Sequence, residues 1–346
     1  MKLDYIIVGL GLAGLAFVEE LVAADKTFVV FEDDSQTSSL VAGGVYNPVI
    51  LKRYTPVWNA KEQLEVAMPF YYRLSHKFNI QFDQKFLIKK VFKSIEDQNN
   101  WFSAIDNPKL ENFLDENLDS ESYHGIISDF SLGNVKDAGR VDTKKLVETY
   151  RGYLRENDNI QFEKFDHQKI KFKNDVLEYK GIIANRIVFC EGFGMKQNLF
   201  FNYLPLNEVK GELITIHAPG LNIDFLVKST LFVLPLGNNN YKIGATFNWK
   251  DKTSNISEEG KDELVEKLKK VINVPYKIIE QTAGVRPTVR DRRPLIGKHP
   301  AYPNLAILNG LGTRGVMIAP IMAKQLFNHL ENGAVLNTES DIKRFE

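Results

Sequence analysis

The sequence predicts an α/β protein, on three observations. First, short apolar runs without polar alternation stand at residues 5–8 and 187–190, the mark of buried parallel strands. Second, the run at 5–8 passes at once into Gly9, Gly11 and Gly14. Leu15, Phe17, Val18 and Leu21 then recur at helical spacing, and another apolar run at 28–31 ends in Glu32. Third, between 208 and 247 the pattern becomes strand, turn, strand, with Gly237-Asn238-Asn239-Asn240 as a hairpin turn.

The opening unit reads strand, tight glycine turn, helix, strand, acid. Gly9 permits the sharp exit from the strand, Gly11 lets backbone approach a pyrophosphate, and Gly14 lets the helix pack close. The helix start offers free N–H groups and the positive end of a dipole to phosphate. Glu32, at the end of the second strand, is positioned to accept bonds from a ribose diol. The same spacing fits a turn that binds nothing, but the strand, helix and acid in order favour dinucleotide binding.

Composition narrows the class. The 346 residues allow a large core and two domains. Lys+Arg and Asp+Glu both number 44, a balance that argues against nucleic acid as the main partner. The single cysteine, Cys190, cannot form an intramolecular disulfide and fits a reducing, cytoplasmic setting. No stretch reaches the ~18 apolar residues of a membrane span. The N-terminal apolar run, broken by glycines and without a basic region, does not read as a secretory signal. The six histidines lack metal-ligand spacing, so no metal site is expected.

Further along, residues 38–49 are rich in small residues, with Gly43-Gly44, and suit a loop whose backbone passes close to a ligand. A helix is predicted from 58 to 78, kinked or split at Pro69. Residues 86–88 and 91–92 read as strand, and the acidic piece from 96 to 121 as surface helix and loops. Asp142 caps a helix carrying Leu146, Val147, Tyr150, Tyr153 and Leu154. Short strands follow at 160–165, 169–172 and 176–179. The run at 187–190 ends in Glu191-Gly192, where glycine again signals close approach. Further strands are expected at 212–217, 231–234 and 241–247, then an amphipathic helix at 261–272. Near the C-terminus stand Gly284-Val285-Arg286-Pro287 and a strand at 305–308. Gly310-Leu311-Gly312-Thr313-Arg314-Gly315 then opens a last helix.

Together these segments resemble the FAD-dependent oxidoreductases of the D-amino acid oxidase and glycine oxidase type. The resemblance rests on the first glycine unit with Glu32, the Ala42-Gly43-Gly44 loop, the segment 187–192 and the hairpin LFVLPLGNNNYKIGATF. The blocks GVRPTVRDRRPLIGKHP and GLGTRGVMIAP are its most specific parts. GLGTRG is also similar to the FAD domain of the bifunctional enzyme that matures a wobble uridine in tRNA. The resemblance implies a Rossmann-like FAD-binding domain of the glutathione-reductase type, discontinuous over 1–80, 140–205 and 281–346. It implies an α+β substrate domain, on a mostly antiparallel sheet, from 81–139 and 206–280.

The resemblance also implies roles. Gly9, Gly11 and Gly14 match the pyrophosphate motif and Glu32 the ribose acid. Ala42, Gly43 and Gly44 match a loop near the isoalloxazine, with Gly192 at a second strand end. Gly310, Gly312, Thr313, Arg314 and Gly315 match the segment facing the flavin pyrimidine, where a helix start stabilises negative charge. Arg286 matches the arginine that holds a substrate carboxylate, for which its planar fork is suited. A structural ion pair with Asp291 is the alternative, and Arg314 is a second candidate. Phe232 stands where the family tends to place a tyrosine, leaving an apolar wall. Lys210-Gly211-Glu212 replaces a more usual Arg-Gly-Gln. The cysteine of covalent family members is absent near the C-terminus, so noncovalent FAD is expected.

The expected reaction is oxidation of a C–N bond in a small amine or amino acid by hydride transfer to flavin N5. Electrons would pass to oxygen or another acceptor. The rivals are a flavoenzyme of another class (a hydroxy-acid dehydrogenase or hydroxylase) and a flavin-dependent factor acting on an aminomethyl-uridine of tRNA.

Overall fold

The protein is described here by a computed structural model covering residues 2–346. Two large sheets carry the architecture. The eight-stranded sheet runs Ile160–Phe162, Phe28–Glu32, Lys2–Val8, Ile182–Phe189, Val176–Tyr179, Ile170–Lys173. Leu305–Asn309 pairs with Ile182–Phe189 and with Leu295–Lys298. The strands at 2, 28, 160, 182 and 305 are mutually parallel, in a register that sets Tyr5 beside Phe28 and Ile187 beside Leu305. Three widely separated parts of the chain thus end their strands at one edge. In parallel sheets that edge is where ligands bind.

The apolar runs are uninterrupted because both sheet faces are covered. One face packs Tyr5 and Ile7 against Phe17, Tyr150, Met317 and Leu326 of the helices Leu12–Ala23, Thr143–Glu156 and Gly315–Asn332. The other packs Ile6, Phe31 and Phe189 against Phe165, Tyr179 and Phe201. Each fully buried large side chain contributes roughly 1.5–3 kcal/mol. Truncating Phe17 would cost about 3–5 kcal/mol and loosen the helix behind the first glycine turn.

The seven-stranded sheet runs Lys277–Val289, Leu206–His217, Asn240–Gly244, Phe232–Gly237, Leu226–Lys228, Ile88–Val91, Leu132–Val135. Its pairs are antiparallel except that between Leu226–Lys228 and Ile88–Val91. The helix Glu258–Leu268 covers one face, packing Leu264 and Leu268 on Ile214, Ile216, Val233 and Ile243. The opposite face turns toward the strand ends of the first sheet.

Several expectations change. The helix Ala60–Phe78 continues through Pro69 and is not split. Burial of Phe70, Tyr71 and Leu74 holds its second half, with Tyr71 Oη donating to the Val316 carbonyl at 2.8 Å. Residues 38–49 are not all loop: they contain the short helix Ser38–Val41 and two two-residue strands. The helix Ile95–Ile105, capped by Ser94, buries Trp101 completely and is no mere surface segment. Residues 86 and 87 precede the strand Ile88–Val91. The thirteen-residue strand Lys277–Val289 was not foreseen. Polar Glu280, Gln281 and Thr282 break its alternation, and as an edge strand it tolerates Pro287. Asp142 caps its helix as expected, accepting from the Lys145 N–H. Among the described residues, no helix is long and apolar enough to cross a membrane.

Candidate active site

The strand ends of the first sheet and the free face of the second enclose a cavity of about 570 Å³. At one end lies the first glycine turn. Gly9 has φ +93°, and a Cβ there would lie 2.6 Å from the Cys190 carbonyl oxygen. A Cβ on Gly14 would lie 2.0 Å from the Gly9 carbonyl oxygen, so the helix sits directly on the turn. Gly9, Gly11, Leu12 and Ala13 line the cavity, and no side chain of the N-cap Gly11 covers the helix start. Only Leu12 N–H is engaged from outside, by Ser39 Oγ at 3.1 Å. This is the dipole end and donor set that an anionic pyrophosphate requires.

Glu32 closes this corner. It is 5% exposed. One carboxylate oxygen accepts from the Leu10 N–H in the glycine turn. The other accepts from Asp34 N–H at 2.9 Å and lies 3.2 Å from Arg151 Nη2. Burial pushes its carboxyl up; the Leu10 N–H and Arg151 pull against that shift. Glu32 therefore holds the turn as well as facing the cavity. Arg151, from the helix Thr143–Glu156, bridges Glu32 and Asp34. Sequence reasoning missed it, because nothing local links residue 151 to residue 32.

The remaining strand ends are tied together by Asn309, 2% exposed, which donates to the Gly192 carbonyl at 2.9 Å and accepts from Gly310 N–H at 2.8 Å. Glu191 accepts from Asn198 at 2.6 Å and lies 2.8 Å from His167 Nε2, and both His167 and Glu191 line the cavity. Asn309, Asn198 and His167 were not foreseen. Cys190 is a buried core group whose thiol is pushed up by burial. Gly44, with φ +68°, lies so close to Val141 that a Cβ would clash with its carbonyl oxygen. Gly43 faces Phe232, whose Cζ would be 3.3 Å from a Cβ there.

The second sheet supplies the opposite wall. Leu213, Gly244, Phe232 and Lys228 are directly paired across neighbouring strands and share one face, and all line the cavity. Arg286 lies on the same face of the edge strand. Its guanidinium lies over Gly211, where a Cβ would come within 2.0 Å of Nη2. It donates to the Thr246 carbonyl at 3.3 Å and stacks 4.6 Å from the Phe247 ring centroid. No carboxylate pairs with it among the described residues, and burial pulls it down to about 10. The expected alternative partner, Asp291, is held instead by Arg344 at 2.9 Å.

The Lys210-Gly211-Glu212 departure now has a physical account. Lys210 and Glu212, 1% and 3% exposed, point to the other face and pair at 3.1 Å; Lys210 also pairs with Asp251. Glu212 accepts from Ser257 N–H and Oγ, at 2.9 and 2.6 Å, and from Gln281 at 2.9 Å. This network ties the segment after Thr246 to the strand beneath Arg286.

Of the residues singled out from sequence, Gly9, Gly11, Glu32, Ala42, Gly43, Gly44, Gly192, Phe232, Arg286, Gly312, Thr313 and Gly315 all line this cavity. Gly14 and Gly310 lie behind it, shaping turns. Arg314 is the N-cap of the last helix and does not line the wall; burial and the nearby Arg292 pull its guanidinium down. No group of three or more His, Cys, Asp or Glu disposed to hold a metal occurs among the described residues.

A glycine turn under an uncapped helix, a buried acid at the next strand end and a long cavity lined by an arginine without a carboxylate partner form an arrangement suited to a dinucleotide. The chain belongs to the family of FAD dependent oxidoreductases, whose sequence profile matches residues 4–328. It is therefore an FAD-dependent oxidoreductase, and the glycine cradle and the acid fit that cofactor. It is 23% identical over 302 residues to the tRNA 5-methylaminomethyl-2-thiouridine biosynthesis bifunctional protein of Campylobacter jejuni subsp. doylei, a match covering 84% of this chain and 45% of that protein. The chain thus spans about half the length of the first of the curated relatives it matches. It is 24% identical over 212 residues to Bacillus subtilis glycine oxidase, covering 55% of this chain and 56% of that one. The crystal structure of glycine oxidase from Geobacillus kaustophilus shares the fold, with TM-score 0.78 at 18% identity over 100% of this chain and 98% of that chain.

Proposed function

We propose that the chain oxidises the C–N bond of a small amine or amino acid that carries a carboxylate, held by Arg286. The observation that carries this reading is the half-buried Arg286 guanidinium, which lines the cavity with no acid of its own. Such a group favours an incoming carboxylate, and its fork matches two carboxylate oxygens. Gly9 and Gly11 with the first helix start would hold the FAD pyrophosphate, and Glu32 its ribose. The loop at Ala42, Gly43 and Gly44 and the turn from Gly312 to Gly315 line the same cavity and would hold the flavin end. When bound, FAD supplies the hydride acceptor. The protein's own share is alignment and exclusion of water. Phe232 and Leu213 keep the reacting carbon in apolar surroundings, and Arg286 fixes the substrate's orientation. In this reading segments 1–80, 140–205 and 290–346 hold the cofactor, and 81–139 with 206–289 form the substrate wall; the boundary expected at 281 moves because the whole strand Lys277–Val289, Arg286 included, belongs to the second sheet.

The relatives named glycine oxidase support amino-acid chemistry. A second reading, favoured by the 302-residue match to the tRNA biosynthesis protein, is an aminomethyl-uridine substrate; the zero net charge leans against it. Anaerobic titration of the FAD-loaded protein separates the readings. Bleaching of the flavin by amino acids, and not by hydroxy acids or by an aminomethyl-uridine nucleoside, is expected. Bleaching by hydroxy acids alone would overturn amine oxidation.

A further inference from the structure

Lys228 is a second cation on the sheet wall of the cavity, after Arg286, that nothing in the reading above uses. It ends the short strand Leu226–Lys228 and pairs directly with Phe232, so its side chain shares the cavity face of the sheet and lines the cavity. It has neither an ion-pair carboxylate nor a hydrogen-bond partner among the described residues. Around it stand Lys90, Lys93 and Lys267; burial and these like charges pull its ammonium down to about 8. Lys90 and Lys267 have acids of their own, Asp97 and Glu263, while Lys228 has none.

The sheet order places Arg286 and Lys228 on opposite sides of this wall: Arg286 on the edge strand, Lys228 four strands along. That is roughly 19 Å between strand axes at ~4.8 Å per strand. The Arg286 guanidinium lies over Gly211, and between it and Lys228 the wall is apolar, built from Leu213, Gly244 and Phe232. A desolvated lysine with no counter-ion, across an apolar wall from a desolvated arginine with no counter-ion, is complementary to an elongated ligand charged at both ends. We infer that Lys228 binds a second anionic group of the substrate, a carboxylate or phosphate, remote from the carboxylate at Arg286. This rests on the reading that Arg286 takes a carboxylate. It makes the substrate an amine or amino acid with a second, distal anionic group, longer than glycine.

The test is calorimetric titration of the FAD-loaded protein with straight-chain dicarboxylates of increasing length, each compared with its own mono-methyl ester. Phosphonocarboxylates of the same lengths form a second arm. At the matching length the diacid should bind about ten- to a hundredfold more tightly than its half-ester, the worth of one charge-assisted contact. A larger gain with phosphonate would assign the second group as phosphate. In Lys228→Met the ratio of diacid to half-ester affinity should fall close to one, and Lys228→Arg should keep it. A ratio near one at every length in the parent protein, which needs no variant to fold, overturns the inference. So does a ratio that Lys228→Met leaves unchanged. If half-esters bind in an Arg286-dependent way while the second charge adds nothing, this inference alone falls. If no carboxylate binds and Arg286→Ala changes nothing, the carboxylate clamp falls with it.

Discussion

The two ends of the cavity are built on opposite principles. At the first glycine turn the glycines are fixed by close backbone packing, and the key charged group is already satisfied. Gly9 and Gly14 make room for backbone, and Glu32 is bonded to Leu10, Asp34 and Arg151 before any ligand arrives. On the sheet wall Arg286 and Lys228 face the cavity without a carboxylate partner among the described residues, while Lys210 and Glu212, on the back of the same sheet, are paired with each other. A site that holds a constant cofactor can be preformed and self-satisfied. A wall that must recognise a substrate keeps its charges open on one face and is braced from the other.

The brace gives the largest expected effect. Glu212→Ala leaves Lys210 without its most buried partner and removes the acceptor for Ser257 and Gln281. Breaking a buried pair costs about 3–5 kcal/mol, here toward the lower end because Lys210 keeps Asp251. Denaturant unfolding should report this as a lowered midpoint. Burial pushes the Glu212 carboxyl up, but the bonds from Ser257, Lys210 and Gln281 outweigh it, and it ends below its ordinary 4.5. A depressed carboxyl contributes stability in full above its unfolded value and loses it as the pH falls through the folded one. The parent should therefore weaken below about pH 4.5 more steeply than the variant. Equal acid profiles would show that the network carries no load.

Arg286→Ala probes the open face. Removing one partner of a desolvated charged pair costs roughly 2–5 kcal/mol, or about thirty- to several-thousandfold in kcat/KM. FAD content should stay normal. Arg286→Lys should recover only part, since an ammonium lacks the fork. Simple carboxylates should inhibit the parent and not Arg286→Ala. Loss of flavin or of the fold in the variant would instead make Arg286 a structural residue. Acid precipitation of the loaded parent should also leave the yellow colour in solution; colour in the pellet would mean a covalent flavin.

The same contrast explains what could be read from sequence. The cofactor corner was legible because Gly9, Gly11, Gly14 and Glu32 lie within one βαβ unit, where spacing alone fixes geometry. The substrate wall was not. Arg286 stood out only through the resemblance of its sequence block, and its strand was hidden by polar residues on an exposed edge. Lys228 carries no motif: its place depends on the Lys228–Phe232 register and on its having no paired carboxylate among the described residues, both tertiary facts. Arg151 and His167 were missed for the same reason, since each reaches the site from a segment far away in sequence; Asn309, next to Gly310, was missed because its role lies in a side-chain bond to the distant Gly192.

Glu32→Ala sharpens the closed end. The expected loss of FAD affinity is about ten- to a hundredfold, roughly 1.5–3 kcal/mol for a charge-assisted bond. Because Glu32 also holds Leu10, Glu32→Gln is the informative partner. It keeps an acceptor for the turn while removing the charge. If both variants lose affinity equally in titration of the apo-protein, the charge is what matters. If Gln restores binding, the role of Glu32 is to hold the turn.

The smallest effect is expected at Phe232, where the open wall meets the cofactor loop. Its Cζ points at Gly43, and the missing Cβ there leaves space at the ring's para position. Phe232→Tyr would set a hydroxyl into that space, on the same face as Lys228 and within the cavity lining. A new neutral hydrogen bond is worth about 0.5–1.5 kcal/mol net, so the change should be about two- to tenfold. Its direction separates two views of the wall. If the apolar ring excludes small zwitterions, Phe232→Tyr should raise kcat/KM for glycine-sized amino acids and leave or lower that for longer dianions. Steady-state kinetics on one short and one long substrate would measure the ratio. If the parent already turns over the short substrate as well as the long one, Phe232 does not set the size preference. Reach toward Lys228 must then be sought in binding alone.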